Sequence, residues 1–100
     1  MKILHLTLHR KWFDEIASGT KREEYREIKP YWRNRFVKDG GLVVYDEIHF
    51  RNGYAKEGPF MRVEWRGLDY SSVSPLGNDW VYKIIIGKIL EIKNWPAVKK

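Results

Sequence analysis

Cysteine is absent from the 100-residue sequence, so the chain can form neither disulfide bonds nor thiolate metal sites. Long apolar runs are lacking too: charge appears already at Lys2, and the longest later run is only Ile84-Ile85-Ile86. The sequence contains no Walker-type loop, no dinucleotide fingerprint and no serine or cysteine triad pattern. These absences predict a cytoplasmic protein with no membrane role and no cofactor.

Charge and aromatic content are what the sequence has in excess. Lys and Arg number 19 against 13 Asp and Glu, which leaves a formal net charge of +6, and aromatic residues make up 15% of the chain. Bases stack on rings flanked by cations, so this composition favours a polyanionic partner such as RNA. The alternative is that the charge serves solubility alone, as in many small basic proteins. At this length we expect one domain spanning residues 1–100.

Hydrophobic periodicity predicts two helices among several strands. Alternation or helical spacing, with Gly and Pro as breaks, gives this order: strand Lys2–Leu8, helix His9–Ser18, strand Glu23–Arg26 and helix Lys29–Val37. The later elements are strand Leu42–Phe50, turn Asn52-Gly53, strand Met61–Arg66, loop Leu68–Asp79 and strand Trp80–Ile92 with a bend or bulge at Gly87. The predicted fold class is α+β, a small curved sheet or barrel flanked by two helices.

One short segment concentrates chemically capable residues at the junction between the first helix and the second strand. Gly19, Lys21, Glu24 and Arg26 follow the register G-x-K-x-x-E-x-R. The glycine permits a positive φ, and the other three offer a compact cation, a carboxylate and a planar fork of donors. By strand parity Lys21 would face away from the other two, so we expect it to precede the regular strand. The alternative is that these are exposed charges protecting an edge strand.

A second candidate lies after the third strand. Arg51, Asn52 and Tyr54 surround a predicted turn and offer a donor fork, an amide and a ring, which suits base recognition. A plain hairpin turn is an equal alternative. The histidines His5, His9 and His49 are too scattered for a zinc spacing, and no metal site is predicted.

These segments resemble a known family. The stretch from Leu4 to Leu8, the pair Trp12-Phe13 and the run from Gly19 to Arg26 are similar to the start of an ASCH domain, whose hallmark is G-x-K-x-x-E-x-R. All four hallmark positions match. Residues 27–32, 50–54 and 82–89 also resemble small bacterial and phage-encoded members. The resemblance implies a PUA-like barrel with a cleft, lined by the hallmark residues, that receives RNA or a nucleotide.

Some small members of this family are hydrolases, and the resemblance extends to them in part. One branch cleaves N4-acetylcytidine with the motif lysine, a threonine three residues later and a distant glutamate; another member is a ribonuclease. Lys21 matches the lysine, whereas Glu24 stands in place of the threonine. Glu64 is the best substitute for the distant glutamate, because the 68–79 loop holds none. If the chain is an enzyme, Lys21 and Glu24 are the catalytic candidates.

The sequence therefore predicts a domain that binds RNA or a modified nucleoside. The contacts expected are Gly19, Lys21, Glu24 and Arg26, with Arg51, Asn52 and Tyr54 in second rank. A neighbouring carboxylate would favour the charged form of Lys21, which suits a phosphate or carbonyl clamp better than a base. The rival hypotheses are a hydrolase of a modified nucleoside or RNA, and an interaction module of a phage or defence system that meets an acidic protein.

Overall fold

The computed structural model describes residues 1–54, 57–73 and 80–95, with the backbone alone at residues 71–73. Two helices and seven strands are present in this part of the chain. They are β1 (Ile3–Leu8), α1 (Arg10–Ala17), β2 (Glu23–Glu27), α2 (Pro30–Phe36), β3 (Val37–Lys38), β4 (Gly41–Leu42), β5 (Glu47–Asn52), β6 (Phe60–Val73) and β7 (Trp80–Lys93). Neither helix is long and apolar enough to span a membrane.

Five strands form one curled sheet in the order β1-β5-β6-β7-β2. The β1–β5 pair is parallel and the other three pairs are antiparallel. The first two strands in the chain are thus the two edges of the sheet. Because the sheet curls, these edges approach each other and leave an open seam between them, and the predicted α+β class with a curved sheet and two helices is confirmed.

The core fills the inside of the curl. Alternate residues of β1 supply Leu4, Leu6 and Leu8, all at most 5% exposed, as the period of two predicts. Both helices add fully buried side chains, Phe13 from α1 and Phe36 from α2. The central strands complete the cluster with Ile48, Phe50, Met61, Val63, Tyr82, Ile84 and Ile86.

The predicted strand Leu42–Phe50 is wrong in its extent. Gly41–Leu42 instead pairs with Val37–Lys38 in a separate small hairpin, and the sheet strand begins only at Glu47. The tight turn at 39–40, where Asp39 and Gly40 both have positive φ, allows this local pairing. High β propensity across residues 42–46 could not distinguish the two partners. The turn glycine Gly53 has the positive φ, +78°, that the Asn-Gly pattern indicates.

The predicted loop Leu68–Asp79 is wrong over its first part. Strand β6 continues through it to Val73, which pairs with Trp80, and the rest of the predicted loop, residues 74–79, lies outside the described residues. A partner strand of equal length satisfies the backbone of this polar segment, so its Gly and Ser content does not end the strand. The bulge predicted at Gly87 is confirmed by the register shift that spans it, between the pairs Val63–Ile89 and Trp65–Ile86.

Candidate functional site

The hallmark segment begins where α1 ends. Gly19 has φ +87°, a left-handed conformation that reverses the chain at the helix terminus. The amides of Thr20 and Lys21 then both donate to the carbonyl of Glu15, each at 3.0 Å. This double hydrogen bond holds Lys21 ahead of β2, as the parity argument predicted, so its side chain can reach the same side as Glu24.

Glu24 is the one charged side chain classed as buried in the described part of the chain, with 6% exposure. Each of its carboxylate oxygens has its own cation. The ammonium of Lys21 lies 3.3 Å from Oε1, and the guanidinium of Arg26 donates to Oε2. Burial of a carboxylate is tolerable only when it is paired and hydrogen-bonded in this way. The carboxylate therefore fixes two cations at set positions while leaving one net positive charge.

Arg26 also spans the seam between the two edge strands. Its Nη1 donates to the carbonyl of Tyr25 at 2.8 Å, and its Nη2 donates to the carbonyl of Thr7 on β1 at 3.3 Å. The guanidinium is thus held by three acceptors from two strands, which makes its plane a rigid part of the seam.

A cleft of about 640 Å³ opens at this seam. This volume lies within the range of small-molecule sites in proteins. It is lined by residues from β1, both helices and β2: Thr7, Leu8, His9, Trp12, Lys21, Glu24, Tyr25, Arg26 and Trp32. Three of the four hallmark residues, Lys21, Glu24 and Arg26, therefore meet in one concave surface.

Aromatic rings form the walls of this cleft and lie against its cations. The Lys21 ammonium is 5.1 Å from the ring centroids of both Trp12 and Tyr25. On the other side, the Arg26 guanidinium carbon is 5.2 Å from the centroid of Trp32, whose ring also stacks on the core residue Phe36. Cation–π contacts of this kind hold both cations and rings in place. The result is a slot of ring faces around a small charged group.

Tyr25 has a second role at the rim of the cleft. Its hydroxyl donates to the Glu23 carboxylate, and this hydrogen bond, with burial and the charges of Glu23 and Glu24, raises the pKa of Tyr25 to about 12. The phenol is therefore neutral at physiological pH, and its proton is engaged by the Glu23 carboxylate. Its ring, not its hydroxyl, faces Lys21.

The remaining predicted contacts lie elsewhere. Gly19 lines a neighbouring groove that shares Lys21 with the cleft. Asn52 donates from Nδ2 to the Leu8 carbonyl at 3.0 Å, so it supports the end of β1 without lining the cleft. Arg51 lies over the Phe60 ring at 4.6 Å, and Tyr54 is 92% exposed. The structure does not bring this second group together with Lys21, Glu24 and Arg26.

Helical spacing places Trp12 with Phe13, Ile16 and Ala17 on the face of α1 that is predicted to pack on the core. Adjacent residues point about 100° apart on a helix, so Trp12 lies at the edge of this face, where it still packs against the core cluster. Phe13 is fully buried, whereas Trp12 is half-buried and forms a wall of the cleft. The step of about 100° between these two adjacent positions was the signal in the sequence that could have placed Trp12 at the cleft. Trp32 lines the cleft from α2, while Tyr31 on the same helix is 56% exposed.

Of the other polar residues considered for catalysis or metal binding, His9 lines the cleft, whereas Glu64, His5 and His49 do not. Glu64 is held by Arg66 at 3.0 Å and by the Lys88 amide at 3.1 Å, and it does not line the cleft. On the outer face of the sheet, Nε2 of His49 donates to the Glu47 carboxylate at 3.0 Å. Within the described ranges, no three His, Asp or Glu side chains are grouped to hold a metal ion.

Comparison with known proteins leaves the site to be interpreted from its own geometry. No protein-family model matches the chain, and neither the curated proteins nor the solved structures contain a significant match.

Proposed function

We propose that the seam cleft binds the base and adjoining phosphate of RNA or of a modified nucleoside. The observation that carries the proposal is the placement of Glu24, buried between Lys21 and Arg26 at the base of a slot with tryptophan walls. Bases are recognised outside a duplex by stacking on aromatic rings and guanidinium planes, with polar groups reading their edges. The cleft offers each of these elements.

The charges of the cleft favour binding over hydrolysis. The Lys21 ammonium is paired with Glu24 and lies between two rings, which is the arrangement of a held cation that can contact phosphate or carbonyl oxygen. Both oxygens of Glu24 already accept from cations, so they are engaged in orienting Lys21 and Arg26. A general base needs a free acceptor near the substrate, and among the described residues the cleft lining holds no second carboxylate, which leaves His9 as its one imidazole.

We further propose that the chain is an ASCH domain with a PUA-like fold. Three features support this: the complete G-x-K-x-x-E-x-R register, its position at the junction of α1 and β2, and the curled sheet flanked by two helices. The cleft at the junction is the place where the resemblance expects RNA or a nucleotide.

A titration monitored by amide NMR tests the proposal. Single-stranded RNA and cytidine derivatives, added at low salt, should shift the amides of residues 21–26 together with the indole signals of Trp12 and Trp32. The proposal is contradicted if those resonances stay unchanged. Turnover of N4-acetylcytidine or of RNA that Lys21→Ala abolishes would instead establish a hydrolase.

Matched tryptophan variants locate the binding surface. Trp12→Leu removes a wall of the cleft, whereas Trp80→Leu removes a ring that is 56% exposed on β7 and does not line the cleft. Loss of one stacked base costs about 1 to 3 kcal/mol, so Trp12→Leu should weaken binding by roughly fivefold or more. Trp80→Leu should leave the affinity unchanged, and equal losses in the two variants would place the ligand elsewhere.

A further inference from the structure

A second depression adjoins the cleft and shares Lys21 with it. It has a volume of about 300 Å³ and lies between the turn that ends α1 and the bulge in β7. Its lining is Ile16, Gly19, Lys21, Arg22, Arg66, Ile86, Gly87, Lys88 and Ile89. We call this surface the basic groove, because four of these side chains are cationic and, among the described residues, none that lines it is acidic.

Arg66 can reach the groove because Gly87 has no side chain. A Cβ atom at position 87 would lie 2.6 Å from Nε and 2.8 Å from Cγ of Arg66, closer than nonbonded atoms approach. Arg66 can therefore cross β7 only because the residue below it is glycine. The register shifts of the β6–β7 pair occur at this crossing.

Glu64 fixes the direction of the crossing arginine. Its Oε1 accepts from Nη2 of Arg66 at 3.0 Å and from the amide of Lys88 at 3.1 Å. A strand bulge of this kind often redirects a side chain towards a site. Here it directs Arg66 towards the turn that carries Arg22.

The opposite wall of the groove is also held by the backbone. The amide of Ile86 donates to the carbonyl of Arg22 at 3.0 Å, which ties the turn to β7. Below the cations, Ile16, Ile86 and Ile89 form an apolar floor, and no aromatic ring lines the groove among the described residues. A cationic rim over an apolar floor suits a sugar–phosphate backbone, because phosphates need cations and ribose carbons tolerate apolar contact.

We infer that the basic groove binds the phosphates that flank the nucleotide held in the seam cleft, so that the natural ligand is a single-stranded RNA and not a free nucleoside. This inference rests on the proposed function of the cleft. Lys21 lines both surfaces, so a strand leaving the cleft past Lys21 enters the groove directly. Arg22, Arg66 and Lys88 then supply the cations for the following phosphates.

Salt dependence distinguishes the groove from the cleft. The probes are cytidine monophosphate and a short oligocytidylate, titrated from low to physiological salt against the wild-type protein and the double variant Arg66→Gln/Lys88→Gln. For single strands, the slope of log affinity against log salt changes by about 0.7 for each phosphate contact. In the double variant the salt slope for the oligonucleotide should decrease by up to about twice this amount, and the slope for the monophosphate should not change.

A control of equal charge change is Arg33→Gln/Lys38→Gln, whose two residues are exposed and line neither surface. It should retain the full salt slope. If neither probe binds the wild-type protein, the proposed function itself fails. If the monophosphate and the oligonucleotide bind with equal affinity and slope, or the control pair weakens binding as much as the groove pair, the cleft stands and the groove inference is overturned.

Discussion

Arg26 on one edge strand donates to the main-chain carbonyl of Thr7 on the other, 3.3 Å across the seam of the curled sheet. The two strands are neighbours in sequence, joined through α1, yet they lie at opposite ends of the strand order. Among the residues that the structure describes, this guanidinium links the two edge strands, which no backbone ladder joins. The cleft exists because the sheet is not fully closed; a continuous barrel would leave no opening between β1 and β2.

The pairing of Glu24 with two cations predicts the effect of removing its charge. Glu24→Gln leaves Lys21 and Arg26 close together without a shared anion, and one amide hydrogen then faces a cation. A buried polar group that loses its partner costs about 1 to 3 kcal/mol, so the free energy of unfolding should fall by that amount. Urea denaturation followed by circular dichroism measures the change.

The matched control is Glu27→Gln on the same strand. Glu27 also pairs with a lysine, Lys29, at 3.1 Å, but its side chain is 73% exposed. Exposed pairs contribute about 0 to 1 kcal/mol, so this variant should unfold close to the wild-type midpoint. Equal loss in the two variants would mean that burial of Glu24 does not set the energy of its ion pairs.

Local sequence patterns predicted those parts of the fold whose cause is local. Alternate leucines in β1, the buried stripe of α1 and the glycine that ends that helix each follow from spacing within a few residues. The choice of which strands pair does not follow from such spacing. The approach of β1 to β2 depends on the curl of three intervening strands, and the length of β6 depends on its pairing with β7. Local periodicity therefore predicts neither feature.

The candidate site shows the same division. Its charged residues could be predicted because the motif places them within eight positions, and the structure brings Lys21, Glu24 and Arg26 together. Its walls could not be assigned in full, because Trp12 is one residue from the core phenylalanine and only the orientation of α1 decides which ring faces the cleft.

The two histidines on the outer face of the sheet predict a pH-dependent stability. The rings of His5 and His49 meet edge to face, with centroids 5.4 Å apart. Partial burial, His49 and Arg51 together lower the pKa of His5 below its ordinary value of 6.5. As pH falls below 6.5 the unfolded chain takes up this proton before the folded chain does, so stability is lost in that window.

The expected result is a free energy of unfolding that declines from pH 6.5 downwards more steeply in the wild-type protein than in His5→Asn. Urea unfolding at a series of pH values gives both curves, and the His5 ring resonance, assigned with the same variant, gives its titration directly. The carboxylates titrate in both proteins, so their contribution cancels in the difference. Parallel curves, or a ring that titrates above 6.5, would contradict the prediction.

The bulge in β7 predicts that replacing Gly87 by alanine lowers the free energy of unfolding. The added Cβ would lie 2.6 Å from Nε of Arg66 and 2.9 Å from Cβ of Glu64. The arginine can swing away, but a Cβ atom moves only with its backbone, so strand β6 must shift. Overpacking of this kind costs about 1 to 3 kcal/mol, which a urea titration of Gly87→Ala would measure.

A control variant and a double variant test which contacts at this crossing cause the loss of stability. Gly41→Ala is the control, because the nearest atom to its Cβ would be the Lys38 carbonyl oxygen at 3.9 Å, an ordinary contact, and its stability should match or slightly exceed that of the wild type. The double variant Arg66→Ala/Gly87→Ala removes the guanidinium contact and keeps the one with Glu64. It should therefore regain only part of the loss. Full recovery would assign the whole strain to Arg66, whereas a stable Gly87→Ala protein would show that the arginine does not need the glycine to cross the strand.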